Sequence, residues 1–204
     1  MKLIFTKSFG CGRALQRPVG LIVRNWHKEP VLVAWKKPEI GWTKLNFDGS
    51  CRCRTGKASI GGVLRNHEAE FLLGYSEFIG QKNSTIAELV ALERGLELVL
   101  EDGWSDVWVE GDSKFLVDII AKKRRVSCAE LQKHVGHINS IIPALNNCML
   151  THIYREGNRA ADKFAQMGYH FEKPQVWRHS PPKEVLRIVQ EDAQGKKFIR
   201  RRRR

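Results

Sequence analysis

The stretch KLNFDGS, residues 44–50, places an alternating apolar and polar run directly before an acid and a glycine. Residues 43–47 therefore predict a strand that runs into Asp48. Two further strand patterns follow, over residues 58–66 and 70–78, and the short polar turn between them favours a hairpin. Three consecutive strands of this kind predict an antiparallel meander.

A strong helical pattern follows the meander. Ser84 or Thr85 can cap it, leucines and valines then recur at helical spacing, and Asp102 with the next glycine ends it. The rest of the domain predicts a strand, two helices, a strand and a last helix. The order βββαβααβα predicts an α/β domain, a mixed five-stranded sheet with helices on its faces, over residues 41–172. The later elements cover residues 106–110, 113–121, 128–142, 149–154 and 158–168.

Four acidic residues stand where the predicted strands end or the predicted helices begin. They are Asp48, Glu88, Asp112 and Asp162. Such edges are where α/β sheets place their functional sites. Each acid alone has an ordinary explanation, as a turn residue, a helix-dipole acid, an N-cap or a surface residue. Their common placement nevertheless predicts that the four lie together.

These acids occur in four ordered phrases, KLNFDGS, STIAELVAL, VEGDS and REGNRAADKFA. Together the phrases resemble the ribonuclease H family, in particular its plant-type branch with a short last loop, over residues 41–168. The resemblance implies a ribonuclease H-like fold. It also implies that two Mg²⁺ ions, or Mn²⁺ in their place, are bound by Asp48, Glu88, Asp112 and Asp162.

Electrostatics favours the same interpretation. Carboxylates that pack together repel one another unless a divalent cation lies between them, and hard oxygen ligands suit Mg²⁺ or Mn²⁺ better than zinc. Two such ions activate a water and stabilise the leaving oxygen in a displacement at phosphorus. We expect Asp48 to contact both ions because it ends the central strand.

The resemblance also implies which residues bind the substrate. In the family, the loop after the first acid and the residues just before the helical acid contact RNA 2′-hydroxyls and nearby phosphates. Turn and helix-cap chemistry explains the same residue types equally well, so both interpretations stay open. The matching positions are Ser50, Cys51, Arg52, Asn83, Ser84 and Thr85.

The chain departs from the commonest family pattern in its last loop, which often carries a histidine. Residues 155–158 form a short loop without one, and we interpret His152 in the strand before it as structural. Residues 122–125, KKRR, are a candidate replacement for a basic helix that some members carry. His134 and His137 lie one helical turn apart and could face one metal ion, but with no acid partner evident we favour surface or packing roles.

The net charge of +13 is concentrated in the flanks of the chain. Residues 1–40 carry eight Lys/Arg and two acids, and residues 173–204 carry eleven and three, whereas residues 41–172 carry sixteen and seventeen. A near-neutral domain with basic arms fits attraction to a nucleic acid. Arms that only solubilise or target the protein are compatible with the same charges.

The terminal segments suggest a compartment without deciding it. The first 28 residues contain six basic residues and no acid, which is typical of a mitochondrial or plastid presequence, whereas Lys196–Arg204 is typical of a nuclear signal. Five cysteines without a CxxC pair, and no secretory leader, favour a reducing compartment over secretion. No stretch approaches the roughly 20 apolar residues that cross a bilayer. The pattern VLRIVQED, residues 185–192, predicts an amphipathic helix able to dock on the domain.

We therefore predict a monomeric, metal-dependent endonuclease that hydrolyses the RNA strand of RNA–DNA hybrids, with water as nucleophile, leaving 5′-phosphate and 3′-hydroxyl ends. Two alternatives stay open. The domain could keep the fold and the acids yet serve only as a nucleic-acid-binding module, one derived from a retroelement. It could also be a nuclease of the same fold that cleaves another substrate, such as a structured DNA junction.

Overall fold

The computed structural model describes residues 30–121 and 126–200. The basic segment up to residue 29, the KKRR connector and the last four arginines lie outside the described residues. The strands are β1 (Leu32–Val33), β2 (Thr43–Arg52), β3 (Lys57–Arg65), β4 (Phe71–Gln81), β5 (Asp106–Gly111), β6 (Asn147–His152), β7 (Gln175–Arg178) and β8 (Phe198–Ile199). The helices are α1 (Ser84–Glu101), α2 (Lys114–Ala121), α3 (Ala129–Ile141), α4 (Arg159–Met167) and α5 (Lys183–Ala193).

Six of these strands form one mixed sheet in the spatial order β6-β5-β2-β3-β4-β7. The predicted meander β2-β3-β4 is antiparallel, whereas β5 pairs parallel to both β2 and β6. The β3–β4 turn forms because the Asn66 side-chain oxygen accepts the backbone N–H groups of Glu68 and Glu70. These observations confirm the predicted α/β class and its mixed sheet.

Two hydrophobic clusters hold the helices on the two faces of the sheet. The larger cluster includes Leu45 and Phe47 of β2 with buried residues of α1, α2 and α3. The smaller cluster joins Val63 of β3 to Phe164 of α4 and Val185 of α5. Because side chains alternate along a strand, Lys44, Asn46 and Asp48 of β2 face away from the larger cluster.

The sheet has six strands instead of the predicted five, and the sixth comes from the segment that we predicted as a C-terminal extension. β7 adds to the edge of β4 through backbone hydrogen bonds, and four residues are too few to show a period. The amphipathic pattern at 185–192 does form a helix, α5, which docks through Val185 and Val189. The fold therefore continues past residue 172, to the β1–β8 pair.

Within residues 30–121 and 126–200, no helix combines the length and the apolar character needed to cross a bilayer.

Candidate carboxylate site

Asp48 is held at the centre of the sheet by two close approaches of backbone. A Cβ on Gly49 would lie 2.3 Å from the backbone of Ala87, so this glycine lets α1 come against β2. Gly61, the partner of Asp48 on β3, similarly lets α4 approach, because its Cβ would lie 2.2 Å from the Ala165 nitrogen. Asp48 is 3% exposed as a result. The glycine pair at 61–62 thus serves close backbone packing, as the sequence suggests.

Glu88 of α1 and Asp112, which follows the neighbouring strand β5, both come close to Asp48. Glu88 is buried near the start of α1, and the Gly49 backbone amide donates a hydrogen bond to its carboxylate. Asp112 directly follows β5. One carboxylate oxygen of each residue lies within 4.8 Å of those of the other two. The structure therefore brings three of the four predicted acids into one cluster that could hold a metal ion.

Asp162, the fourth predicted acid, lies in the first turn of α4 beside this cluster. Its Oδ2 accepts a hydrogen bond of 2.7 Å from the Gln166 side chain. Burial raises the pKa of Asp162, and the nearby Asp112 raises it further. Asn158 positions the start of this helix, because its Nδ2 donates to the Phe47 carbonyl of β2 at 2.9 Å.

The cluster carries more negative charge than its surroundings neutralise. Burial raises the pKa of Asp48 well above its usual value, and the charges of Glu88, Asp112 and Asp162 raise it further. Burial, followed by the charge of Asp112, raises the pKa of Glu88 to about 8. Oε2 of Glu88 is buried and has no hydrogen-bond partner among the described residues. An unpartnered carboxylate oxygen within an all-oxygen donor set fits Mg²⁺ or Mn²⁺.

Arg155 is a residue of this site that the sequence interpretation missed. Its Nε donates to Oδ2 of Asp112 at 3.1 Å, while the side chain stays 63% exposed. It lies in the short last loop that we noted only for its lack of histidine. His152, interpreted as structural, contacts the Asp112 carbonyl through Nε2 at 3.2 Å and packs edge-on against Tyr154.

Two of the predicted substrate-binding residues, Ser50 and Arg52, line an open groove. The Arg52 guanidinium lies 3.9 Å from the ring centre of Tyr169, and the Tyr169 hydroxyl donates to Ser50 Oγ at 3.1 Å. The third, Cys51, instead donates its thiol to the Lys82 carbonyl. The groove measures about 430 Å³ and is lined by Ser50, Arg52, Lys163, Gln166, Met167, Tyr169 and His170.

The sequence interpretation did not include Lys163, Tyr169 and His170 among the groove residues. The stretch DKFAQMGYH, which begins at the fourth acid, Asp162, could have indicated that these residues lie near the site. Gln166 lines the groove and also donates to Oδ2 of Asp162 at 2.7 Å. The groove therefore lies beside the fourth acid of the site.

The other three predicted substrate-binding residues form the start of α1. Asn83 is the N-cap in place of the predicted Ser84 or Thr85, because its side-chain oxygen accepts the backbone N–H of Ile86 at 2.9 Å. Ser84 is exposed and Thr85 is half-buried, in the turn that precedes Glu88. Helix capping therefore explains Asn83. Residues 84 and 85 are near Glu88 in the sequence, one turn earlier in α1.

Comparison with known proteins places the chain in a family. Residues 46–168 match the sequence profile of the family described as reverse transcriptase-like. A protein of Arabidopsis thaliana named as a ribonuclease H protein is 32% identical over 139 residues, 68% of this chain and 22% of that relative. The chain thus spans about a fifth of that relative's length. Ribonuclease HI of Halobacterium salinarum is 25% identical over 145 residues, 71% of this chain and 73% of the relative.

Solved structures share the fold. The crystal structure of RNase H1 from Halobacterium salinarum superposes with a TM-score of 0.61 at 23% identity, covering 63% of this chain and 98% of that one. LC11-RNase H1, solved in complex with an RNA/DNA hybrid, gives a TM-score of 0.56 at 28% identity, over 61% of this chain and 94% of that one. The profile match spans more than half of the sequence and both relatives are named as ribonuclease H proteins, so the chain belongs to the ribonuclease H family.

Proposed function

We propose that this chain is a metal-dependent endonuclease that hydrolyses the RNA strand of RNA–DNA hybrids. The observation that carries the proposal is the buried cluster of Asp48, Glu88 and Asp112, whose like charges call for a cation. The names of the relatives support the substrate class, since two are ribonuclease H proteins and LC11-RNase H1 was solved with a hybrid.

The carboxylates of Asp48, Glu88, Asp112 and Asp162 would hold the metal. When bound, Mg²⁺ or Mn²⁺ supplies an activated water and stabilises the departing 3′-oxygen. Asp48 provides a fixed ligand because it is buried on the central strand. Arg155 holds the Asp112 side chain from the solvent side, which keeps one oxygen of that carboxylate oriented.

The groove beside the cluster would bind the nucleic-acid backbone. Arg52 and Lys163 place two positive charges along it, and Tyr169 holds the Arg52 guanidinium against its ring. Ser50 lines the groove and would offer its hydroxyl to a 2′-hydroxyl, the group that distinguishes RNA from DNA. The basic flanks of the chain would add affinity that does not depend on sequence.

The test is cleavage of an end-labelled RNA–DNA hybrid in Mg²⁺ and in Mn²⁺. Duplex RNA, duplex DNA and a DNA junction are run beside it. We expect cleavage of the RNA strand of the hybrid, lost in Asp48→Asn and retained in Glu39→Gln. The latter is a matched acid-to-amide change at an exposed position before β2.

Each other outcome selects an alternative. Binding of the hybrid without cleavage in either metal would favour a nucleic-acid-binding module that keeps the fold. Cleavage of the junction in preference to the hybrid would favour a nuclease with another substrate. Cleavage by Asp48→Asn at the wild-type rate would remove the carboxylate cluster from the mechanism.

A further inference from the structure

A second cluster of metal-ligating side chains lies where α3 packs along α1. Glu93 and Glu97 are one helical turn apart on α1, and His134 and His137 are one turn apart on α3. We expected the two histidines to lack an acid partner, and the structure contradicts that expectation. The sequence interpretation missed Glu93 because it lies about 40 residues away, on another helix.

Glu93 lies between the two imidazoles. One of its carboxylate oxygens is 2.5 Å from Nδ1 of His134, and the other is 2.6 Å from Nδ1 of His137. Oε1 of Glu97 lies 3.9 Å from Nδ1 of His137. Ligand atoms around a tetrahedral zinc ion lie about 3.3 Å apart, given bonds of about 2.0 Å. Only small movements of these side chains would therefore bring their ligand atoms to the spacing that a zinc ion requires.

The neighbours of the cluster leave its ligand atoms available. Arg94 donates to Oε2 of Glu97 at 3.1 Å, which leaves Oε1 as the oxygen nearer His137. Such a bond to the second oxygen orients a carboxylate for metal binding. The side chains of Glu93 and His134 are 17% and 16% exposed, whereas His137 is 44% exposed. The cluster thus has a half-buried base and a mouth open to solvent.

This cluster is separate from the carboxylate site and differs from it in chemistry. Glu88 and Glu93 are five residues apart on α1, which places them about 140° apart around the helix and about 7.5 Å apart along it. The first site offers only carboxylate oxygens, which suit Mg²⁺ or Mn²⁺. The second adds two imidazole nitrogens, which suit zinc and similar transition metals.

We propose that Glu93, Glu97, His134 and His137 form a site for a transition-metal ion, zinc in the first place, that clamps α3 onto α1. Two carboxylates and two neutral imidazoles balance the charge of a divalent ion. The ion would add to the packing that holds α3. Its two fully buried residues, Ile138 and Ile141, lie beyond the histidines, and Leu131 and Val135 nearer its start are only partly buried against the core.

The experiment uses the full chain, stripped of metal and kept reduced, with Mg²⁺ at saturation to occupy the carboxylate site. Zn²⁺ is then titrated by calorimetry, and Co²⁺ serves as a spectroscopic probe for nitrogen-containing, tetrahedral coordination. We expect one zinc ion per chain and a Tm increase of about 5 °C or more at zinc well above its Kd.

The variants are His134→Gln and His137→Gln, because glutamine can still donate a hydrogen bond to Glu93 but is a poor zinc ligand. Each should weaken zinc binding at least about 10-fold and remove the cobalt absorption bands. His67→Gln, in the β3–β4 turn, is the matched control and should bind zinc like the wild type. Hybrid cleavage in Mg²⁺ should persist in all three, which separates this site from the proposed catalytic one.

Three outcomes would overturn the proposal. Zinc affinity in His137→Gln equal to that of the wild type would show that the rings only form hydrogen bonds. Loss of zinc binding in Asp48→Asn would place the ion in the carboxylate site. Loss in a Cys51→Ser, Cys53→Ser double variant, with the histidine variants unaffected, would place it on the thiols.

Discussion

One face of β2 carries two buried polar clusters that differ in how their charges are balanced. Lys44, Asn46 and Asp48 alternate along this face, and all three are buried. Around Lys44 the charges cancel, whereas around Asp48 the acids outnumber the one cation, Arg155. The same strand therefore takes part in two charge clusters. We call the balanced one the closed network and the one around Asp48 the open cluster. The closed network comprises Lys44, Asn46, Arg65, Glu110 and Asp192, and the open cluster comprises Asp48, Glu88, Asp112 and Asp162.

The closed network consists of two ion pairs joined by an amide. Nζ of Lys44 lies 2.7 Å from Glu110, and Nη1 of Arg65 lies 2.7 Å from Asp192. Asn46 connects the pairs, because its oxygen accepts from Arg65 and its nitrogen donates to Glu110. Burial still lowers the pKa of Lys44 to about 8, although Glu110 opposes the shift.

This difference in charge balance separates buried charges that stabilise the fold from buried charges that are expected to bind a metal ion. The closed network balances its own charges and links β2, β3 and β5 to α5, although Nε of Arg65 has no hydrogen-bond partner among the described residues. The carboxylate cluster has Arg155 on one member, and an oxygen of Glu88 has no partner among the described residues. Such a cluster is neutralised either by bound protons or by an added cation, as expected of a metal-dependent site.

The largest effect should come from removing one charge of the open cluster. Asp48→Asn, Glu88→Gln and Asp112→Asn should each reduce hybrid cleavage roughly 1,000-fold or more, because metal-assisted charge stabilisation contributes several kcal/mol. The fold should remain intact, as checked by circular dichroism. Near wild-type cleavage by any of the three would contradict the comparison, since that charge would then be dispensable.

Breaking the closed network should instead damage stability. Arg65→Met leaves Asp192 buried without its partner, so the free energy of unfolding should fall by about 3–5 kcal/mol in urea titrations. Cleavage per folded molecule should stay near the wild-type value. Arg187→Met is the matched control, because that side chain is 85% exposed and its ion pair contributes little. Equal costs for the two substitutions would show that the network is not structural.

The open cluster should also make the stability of the protein depend on pH. The pKa of Glu88 is about 8 in the folded chain and near 4.5 in the unfolded chain, so between these values the folded chain holds a proton that the unfolded chain has lost. Stability without metal should therefore fall as pH rises from about 5 to 8. One pKa unit corresponds to about 1.4 kcal/mol, so the Tm should drop by several degrees.

Melting curves in EDTA and in Mg²⁺ check this expectation. Added Mg²⁺ should raise the Tm more at pH 8 than at pH 5, because the ion replaces the proton. Glu88→Gln should flatten the profile in EDTA and should be more stable than the wild type at pH 8. A wild-type profile in EDTA as flat as that of the variant would contradict the open-cluster interpretation.

The smallest effect should come from the terminal arginines. Lys196 pairs with Glu191 and residues 198–199 form β8, so a deletion that spares the fold begins at residue 201. Removing residues 201–204 takes four arginines from the chain. Binding to hybrid, duplex DNA and RNA should weaken by similar factors, and the salt dependence should decrease by up to about 0.9 in log–log slope per lost phosphate contact.

Salt-titrated binding and cleavage assays separate the two possible roles of this tail. The preference for RNA in a hybrid should not change on truncation, because selectivity is expected from the groove beside the cluster. An unchanged salt slope would show that the tail does not contact nucleic acid. A changed substrate preference would show that it belongs to the recognition surface.

The sequence alone determined those features that depend on local chemistry. Strand alternation before Asp48, the apolar spacing of α1 and the order of the elements predicted the α/β fold, because these signals act over a few residues. The same order predicted that Asp48, Glu88 and Asp112 meet at one edge of the sheet. The four ordered motifs also indicated the ribonuclease H family.

Tertiary structure decided whatever depends on partners distant in the chain. β7 is a strand only because β4 offers it an edge, and Asp192 is buried only because Arg65 lies on the strand behind α5. Arg155 beside Asp112, and Glu93 between two histidines, are likewise contacts between separate elements. A side chain's charge is written in the sequence, but whether that charge is neutralised depends on the groups that folding brings within a few ångströms of it.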